Sequence, residues 1–234
     1  MEIRLDGTLV STTMRTPGHD YELAVGFCHT EGLLGGAPVT EVRYCATGSA
    51  VETAFNVVSV DTGGVAPQPT PRLGTTSSSC GLCGSEAIAT LGDRLAPLGL
   101  LDVDPTTLAQ LAAVVGERVR ADQALFDRTG GVHAAAAFDL AGGDVALSRE
   151  DIGRHNAGDK VGGRLLLDGG LPATGLGLWI SGRASFEMVQ KAWSAGFGVV
   201  VSVSAASGLA VETGRRAGVV VAGFARDGGI VVYE

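Results

Sequence analysis

The sequence predicts an α/β protein: a larger C-terminal domain built from βαβ units, joined to a smaller, strand-rich α+β N-terminal domain. Three observations carry that reading. The last third alternates short apolar runs (176–180, 199–203, 219–222) with amphipathic stretches at helical spacing (186–195, 207–216), as parallel strands with crossover helices do. The first sixty residues show period-two patterns broken by turn residues. The chain has 234 residues and is 45% hydrophobic, enough to bury a core without staples. We place the N-terminal domain at 1–100 and the α/β domain at 101–234.

The elements follow in order. Ile3, Leu5 and Leu9 alternate around Asp6-Gly7, a favoured two-residue hairpin turn. Asp20 caps a helix over 20–34, with Leu23, Phe27 and Leu34 near one face. Strands are expected at 41–45 and 51–60, then a loop marked by Pro67, Pro69 and Pro71. A Ser/Thr/Gly-rich stretch, 74–84, precedes a short helix at 85–91. Asp104-Pro105 opens a helix whose Leu108, Leu111, Val115 and Val119 recur at helical spacing. A short apolar segment at 133–138 and a strand at 144–148 follow, then a helix over 153–167 with Ala157, Val161 and Leu165 inward. Phe186, Val189 and Trp193 face inward in the 186–195 helix, and 230–233 forms a last strand.

Composition excludes several classes. Glycine, at 36 of 234 residues, is about twice its usual ~7% share, without the three-residue period of collagen. A formal charge of −8 argues against a phosphate-tracking nucleic-acid binder. Lys160 and Lys191 are the only lysines, so arginine must do nearly all anion recognition. The uncharged stretch 192–211 carries four serines and three glycines, and reads as helix, strand and loop rather than a membrane span. No signal-peptide pattern opens the chain, and four cysteines are too few for a disulfide scaffold, so a cytoplasmic protein is expected. Cys28 and Cys45 fall in apolar patterns and read as core residues.

The sharpest short motif is Cys80-Gly81-Leu82-Cys83. Its spacing suits half a zinc site, a redox pair, a sulfur-carrying nucleophile, or a plain turn, and the residues alone leave these open. No second CxxC is present.

A second constellation lies where ligands bind in open α/β sheets, beyond the carboxyl ends of the strands. It comprises Ser181, Gly182 and Arg183, then Ser207, then Gly223 to Arg226. Free N–H groups at helix starts, serine hydroxyls and the guanidinium groups of Arg183 and Arg226 suit phosphate oxygens. Ordinary βα turns with serine caps give the same residues. Neither GxGxxG nor a P-loop lysine occurs. A third cluster, 149–156 with Asp159 and Lys160, packs many ionisable groups at a strand-to-helix junction, as a site or as a solvated surface. His133, before an alanine run, reads as a satisfied core residue.

Taken together, seven blocks resemble the formate dehydrogenase accessory sulfurtransferase family, FdhD. They are MRTPGHDYELAVGFCHTEGLL, SSSCGLCG, TGGVHAAAAFD, REDIGRHNAGDKV, SGRASFEMVQKAWSAG, VSAASGLAVE and GFARDGG, in family order from Met14 to Gly229.

The resemblance implies a sulfurtransferase. A cysteine desulfurase delivers sulfur as a persulfide on the CxxC loop, at Cys80 with Cys83 beside it. The acceptor is the molybdenum cofactor, bis(molybdopterin guanine dinucleotide), or a tungsten analogue, before its insertion into formate dehydrogenase. The family's cofactor stretch falls on Phe224, Ala225, Arg226, Asp227, Gly228 and Gly229, with a guanine nucleotide as mimic. The resemblance also implies a cytidine-deaminase-like C-terminal domain and a homodimer. Deaminase chemistry is not expected, because Ala135 stands where H-x-E requires glutamate and Ser79 where P-C-x-x-C requires proline. Neither a structural metal nor a zinc centre is expected. The other function class is a cofactor-binding chaperone that moves no sulfur.

Overall fold

The structure is a computed structural model that describes residues 1–45, 49–68, 92–99, 101–226 and 228–233. Cys80, Cys83, the helix expected at 85–91 and Asp227 lie outside the described residues.

The chain forms a mixed α/β fold with two sheets. The first holds β1 (Glu2–Leu5), β2 (Thr8–Thr12), β3 (Glu41–Tyr44) and β4 (Val57–Asp61), in the order β2-β1-β4-β3. The β1–β2 hairpin turns on Asp6 and Gly7, both at positive φ, as its two-residue turn requires. The sequence gives no sign that β1 also pairs with β4 in parallel. The strand expected over 51–60 begins only at Val57, because residues 51–55 form turns with Ala54 and Phe55 at positive φ.

Helix α1 (Asp20–Thr30) covers this sheet with Leu23, Ala24, Val25 and Cys28. It stops four residues short of the expected end, where Gly32 takes a left-handed φ of 72°. Leu34 still reaches the core, from the following turns. Cys28 is buried as expected, and burial pushes its thiol up to about 12. Cys45 is only half-buried, at a φ of 76° just past the end of β3, so it is not the core residue the pattern suggested.

The second sheet runs β10-β9-β8-β7-β5-β6. Its strands are β5 (His133–Asp139), β6 (Val145–Asp151), β7 (Leu176–Ile180), β8 (Val199–Ser202), β9 (Val220–Arg226) and β10 (Gly229–Tyr233). Only β7, β8 and β9 are parallel to one another; β5, β6 and β10 join antiparallel. The expected largely parallel sheet is therefore a parallel centre with antiparallel edges. The βαβ rule applies only to strands separated by crossover helices, and β5–β6 and β9–β10 are hairpins.

Alternation along β5, β7 and β8 sorts their side chains to two faces. Ala135, Ala137, Leu178, Ile180 and Val200 meet α4 (Arg154–Leu167), α5 (Phe186–Ala195) and α6 (Gly208–Ala217). Ala134, Ala136, Trp179, Val199 and Val201 meet α2 (Pro105–Asp122). Asp104 caps α2 by accepting from the Thr107 N–H at 2.8 Å, an arrangement worth about 1 kcal/mol. A further short helix, α3 (Ala124–Thr129), follows it and was not signalled by periodicity. Among the described residues no helix is long and apolar enough to cross a membrane, and 192–211 resolves into the end of α5, β8, a loop and the start of α6.

The ionisable cluster at 149–160 is an internal ion network rather than a solvated surface. Arg149 reaches Glu22 of α1 at 2.6 Å, and Lys160 meets Asp151 at 2.8 Å with both side chains buried. Lys160 also donates to the Thr16 and Glu150 carbonyls. Lys191 meets Asp159 at 2.9 Å and Glu31 at 3.3 Å. Burial works against the Lys191 ammonium, but the two carboxylates outweigh it and hold its pKa above the ordinary lysine value. Both lysines are thus committed internally, which leaves anion binding at the surface to arginine.

Candidate functional site

Because β7, β8 and β9 are parallel, their carboxyl ends open on one edge of the sheet. A cavity of about 1360 Å³ lies there, between the α2–α3 arm and the sheet. Five sequence-predicted residues line it: Ser181 after β7, Ala225 and Arg226 at the end of β9, and Gly228 and Gly229 leading into β10. The 223–226 segment belongs to β9 rather than to a turn beyond it, since the hairpin with β10 extends the strand to Arg226.

The other predicted residues lie outside that lining. Gly182 is buried one step behind Ser181. Arg183 is exposed and does not face the cavity lining. Ser207 is the cap of α6, where its Oγ accepts from the Ala210 N–H at 3.2 Å. Phe224 is 40% exposed, with a φ of 54°.

The polar end of the cavity is held firmly. The Ser181 N–H donates to the Ala134 carbonyl, and its Oγ accepts from the Ala134 N–H at 2.9 Å. His133 Nδ1 lies 3.2 Å from the same Oγ. Burial, with help from the Arg154 cation, lowers the His133 pKa and favours a neutral imidazole. Gly182 makes this possible, since a Cβ there would stand 3.2 Å from Arg154 Cδ and 3.4 Å from His133 Nδ1. Arg154 Nε is buried without a hydrogen-bond partner among the described residues. Beside it, His155 Nε2 lies 3.4 Å from Ser185 Oγ. Burial and the charges of Arg154 and Lys191 push the His155 pKa down to about 4.

The rest of the lining was missed by sequence reasoning. Helix α2 contributes Ala109, Ala112, Ala113, Gly116, Glu117 and Arg120, and α3 contributes Phe126 and Asp127. The spacing 109, 112, 113, 116 is one helical face of small residues, a legible sign of a wall that leaves room. Trp179, Val203 and His133 line the cavity from the sheet. Arg120 pairs with Asp127 at 2.6 Å and stacks over the Phe126 ring at 5.0 Å. Arg226 and Glu117 have no such partner among the described residues, so the lining offers an uncommitted cation near the strand ends and an uncommitted carboxylate on α2. Serine, guanidinium and glycine backbone suit phosphate oxygens, and the small-residue wall suits a flat ring.

Comparison with known proteins bears on the whole chain. Residues 1–234 match the model of the FdhD/NarQ family. A protein of Streptomyces avermitilis named sulfur carrier protein FdhD is 46% identical over all of this chain and 84% of its own length. Relatives of the same name from Corynebacterium efficiens and Mycobacterium tuberculosis are 44% and 41% identical, covering 97% and 100% of this chain and 83% and 87% of their own. The fold also matches a crystal structure from Desulfotalea psychrophila, named for a formate dehydrogenase accessory role. Its TM-score is 0.75 at 22% identity, over 100% of this chain and 85% of that one. With the family match unbroken from end to end, the chain belongs to the FdhD/NarQ family.

Proposed function

We propose that this protein carries sulfur for the maturation of formate dehydrogenase, as the names of its relatives indicate for them. In this reading Cys80 is the carrier. Its thiolate attacks the outer sulfur of a cysteine desulfurase persulfide, an S–S bond forms at Cys80, and the desulfurase cysteine leaves as thiolate. The acceptor is the molybdenum cofactor bis(molybdopterin guanine dinucleotide), bound as substrate, and Cys83 assists beside Cys80. The protein works as a cytoplasmic homodimer, with the six-stranded sheet as a cytidine-deaminase-like unit.

The observation that carries the reading is the cavity. At about 1360 Å³ it exceeds the ~300–1,000 Å³ of ordinary small-ligand pockets, as a dinucleotide cofactor requires. Ser181, Arg226, Gly228 and Gly229, expected from the sequence to meet the cofactor, gather on it. In the proposed pose Arg226 takes a phosphate bidentately, while Ser181 and the glycine N–H groups supply neutral donors.

The test is mass spectrometry of the intact protein after incubation with a cysteine desulfurase and cysteine. Wild type gains one sulfur, and Cys80→Ala does not. Equal gain by Cys80→Ala contradicts the assignment. Full formate dehydrogenase activation by that variant shows a chaperone that moves no sulfur.

A further inference from the structure

We propose that Arg94, Arg215 and Arg216 form a docking surface for an acidic face of the protein that loads sulfur onto this chain. The inference rests on the sulfur-carrier reading above and assigns where that donor sits.

The three arginines come together where the chain returns from the cysteine-bearing stretch. The Arg216 guanidinium lies against Gly92: a Cβ there would stand 3.2 Å from its Nη2. Two residues on, the Arg94 guanidinium packs against Gly32, in the turn after α1, so closely that a Cβ on Gly32 would collide with it. Pro67, at the other flank of the stretch, packs against Gly35 of the same turn. Both flanks of 69–91 are thus held at one turn, and the arginines stand beside it. Their supports are firm: the Leu98 N–H donates to the Ala217 carbonyl at 2.7 Å, and the Ala96 carbonyl accepts from the Trp193 indole at 2.9 Å. Ala217 closes α6 just before β9 begins, so this surface lies at the opposite end of the strands from the cavity.

The charges are uncommitted. All three arginines are exposed, and none has an ion pair or hydrogen bond among the described residues. Asp93 and Glu212 stand in the same two segments, and neither forms an ion pair with them. Other exposed arginines are neutralised by the chain itself: Arg43 by Glu41 and Asp61, Arg118 by Asp144, Arg164 by Asp168. In a chain of net charge −8, unpaired cations on one side are a local feature that complements an acidic partner. A site for one small anion converges its donors on a point. Here the guanidinium groups come from two segments and stand open to solvent, which fits several carboxylates spread over a protein surface. The acidic balance of the whole chain disfavours a nucleic acid in that place. A sulfur donor has to reach the stretch that carries Cys80, and this surface borders both its flanks.

The test compares sulfur loading of the full chain by two routes. A cysteine desulfurase with cysteine supplies sulfur through a protein, and inorganic polysulfide supplies it without one. The triple variant Arg94→Gln, Arg215→Gln, Arg216→Gln should load about tenfold more slowly from the desulfurase at low salt. The difference should close near about 1 M salt, where charges are screened beyond about 3 Å. Loading from polysulfide should equal wild type, which shows a folded chain with its cysteine intact. Arg118→Gln, on the other face of the sheet, removes a charge elsewhere and should change neither rate. Desulfurase loading of the triple variant at the wild-type rate in low salt overturns the docking surface and leaves the carrier reading standing. A deficit that persists at high salt, or that appears with polysulfide as well, marks a structural role and also overturns it. Arginine-dependent binding of a DNA duplex without a loading deficit makes nucleic acid the occupant and overturns it too. If wild type takes sulfur from neither donor, the carrier reading falls with it.

Discussion

Gly26 on α1 and Gly163 on α4 meet backbone to backbone: a Cβ on Gly163 would stand 2.7 Å from the Gly26 nitrogen, and one on Gly26 would stand 2.9 Å from the Gly163 nitrogen. Each added carbon would also collide with a carbonyl of the facing helix, Glu22 or Asp159. This approach seats the layer of the small sheet directly on the helices behind the candidate site. It also brings Glu22 to Arg149, and Thr30 and Glu31 to Lys191.

Gly163→Ala should therefore destabilise the protein by about 2–3 kcal/mol, since the obstacle is backbone that cannot rotate away. Gly162→Ala, one position along, meets nothing within 4 Å and should stabilise by about 0.5–1 kcal/mol through helix propensity. Urea denaturation of the two variants checks the contrast. Equal midpoints for both would show that the helices can move apart at no cost.

Lys191→Met should cost about 3–5 kcal/mol, because it takes the cation away from the fully buried Asp159 carboxylate. The measure is again the denaturation midpoint at neutral pH. A loss under about 1 kcal/mol would place the pair in the class of exposed salt bridges.

His155 predicts a pH dependence with a definite sign. Its folded pKa, about 4, lies below the ordinary histidine value of 6.5, so the unfolded chain binds more protons between those values. The contribution is fully present above 6.5 and is lost as pH falls through about 4. Between pH 7 and pH 5 the loss amounts to about 2 kcal/mol. His155→Gln should lose less stability than wild type over that interval. An identical loss would mean that His155 titrates normally in the folded state, despite the Arg154 and Lys191 charges around it.

Much of this was legible in the sequence wherever the signal is local. The helix Phe186–Ala195 and the strand Leu176–Ile180 fall where their periodicity places them, and Asp104 caps as its side chain dictates. What stayed hidden depends on residues far apart in the chain. The parallel pairing of β1 with β4 joins segments some fifty residues apart, and no local pattern records it. The ion pairs of Lys160 and Lys191 bury charges that composition assigns to the surface, because each partner arrives from another element of the fold. In the site, glycine and serine at strand ends pointed to Ser181 and Arg226. Trp179 falls within the apolar run 176–180, and only the fold reveals that its N–H finds no acceptor among the described residues.

The most direct test of the central claim follows one sulfur atom. The protein is loaded with radiolabelled sulfur by a cysteine desulfurase, then mixed with the molybdenum cofactor and immature formate dehydrogenase, and the label on the cofactor is counted. Wild type should deliver it and activate the enzyme. Cys80→Ala should carry none, and Arg226→Ala should load normally but deliver about tenfold less at limiting cofactor, having lost a charge-assisted phosphate contact. Label reaching the cofactor at the wild-type level from Cys80→Ala would contradict the account.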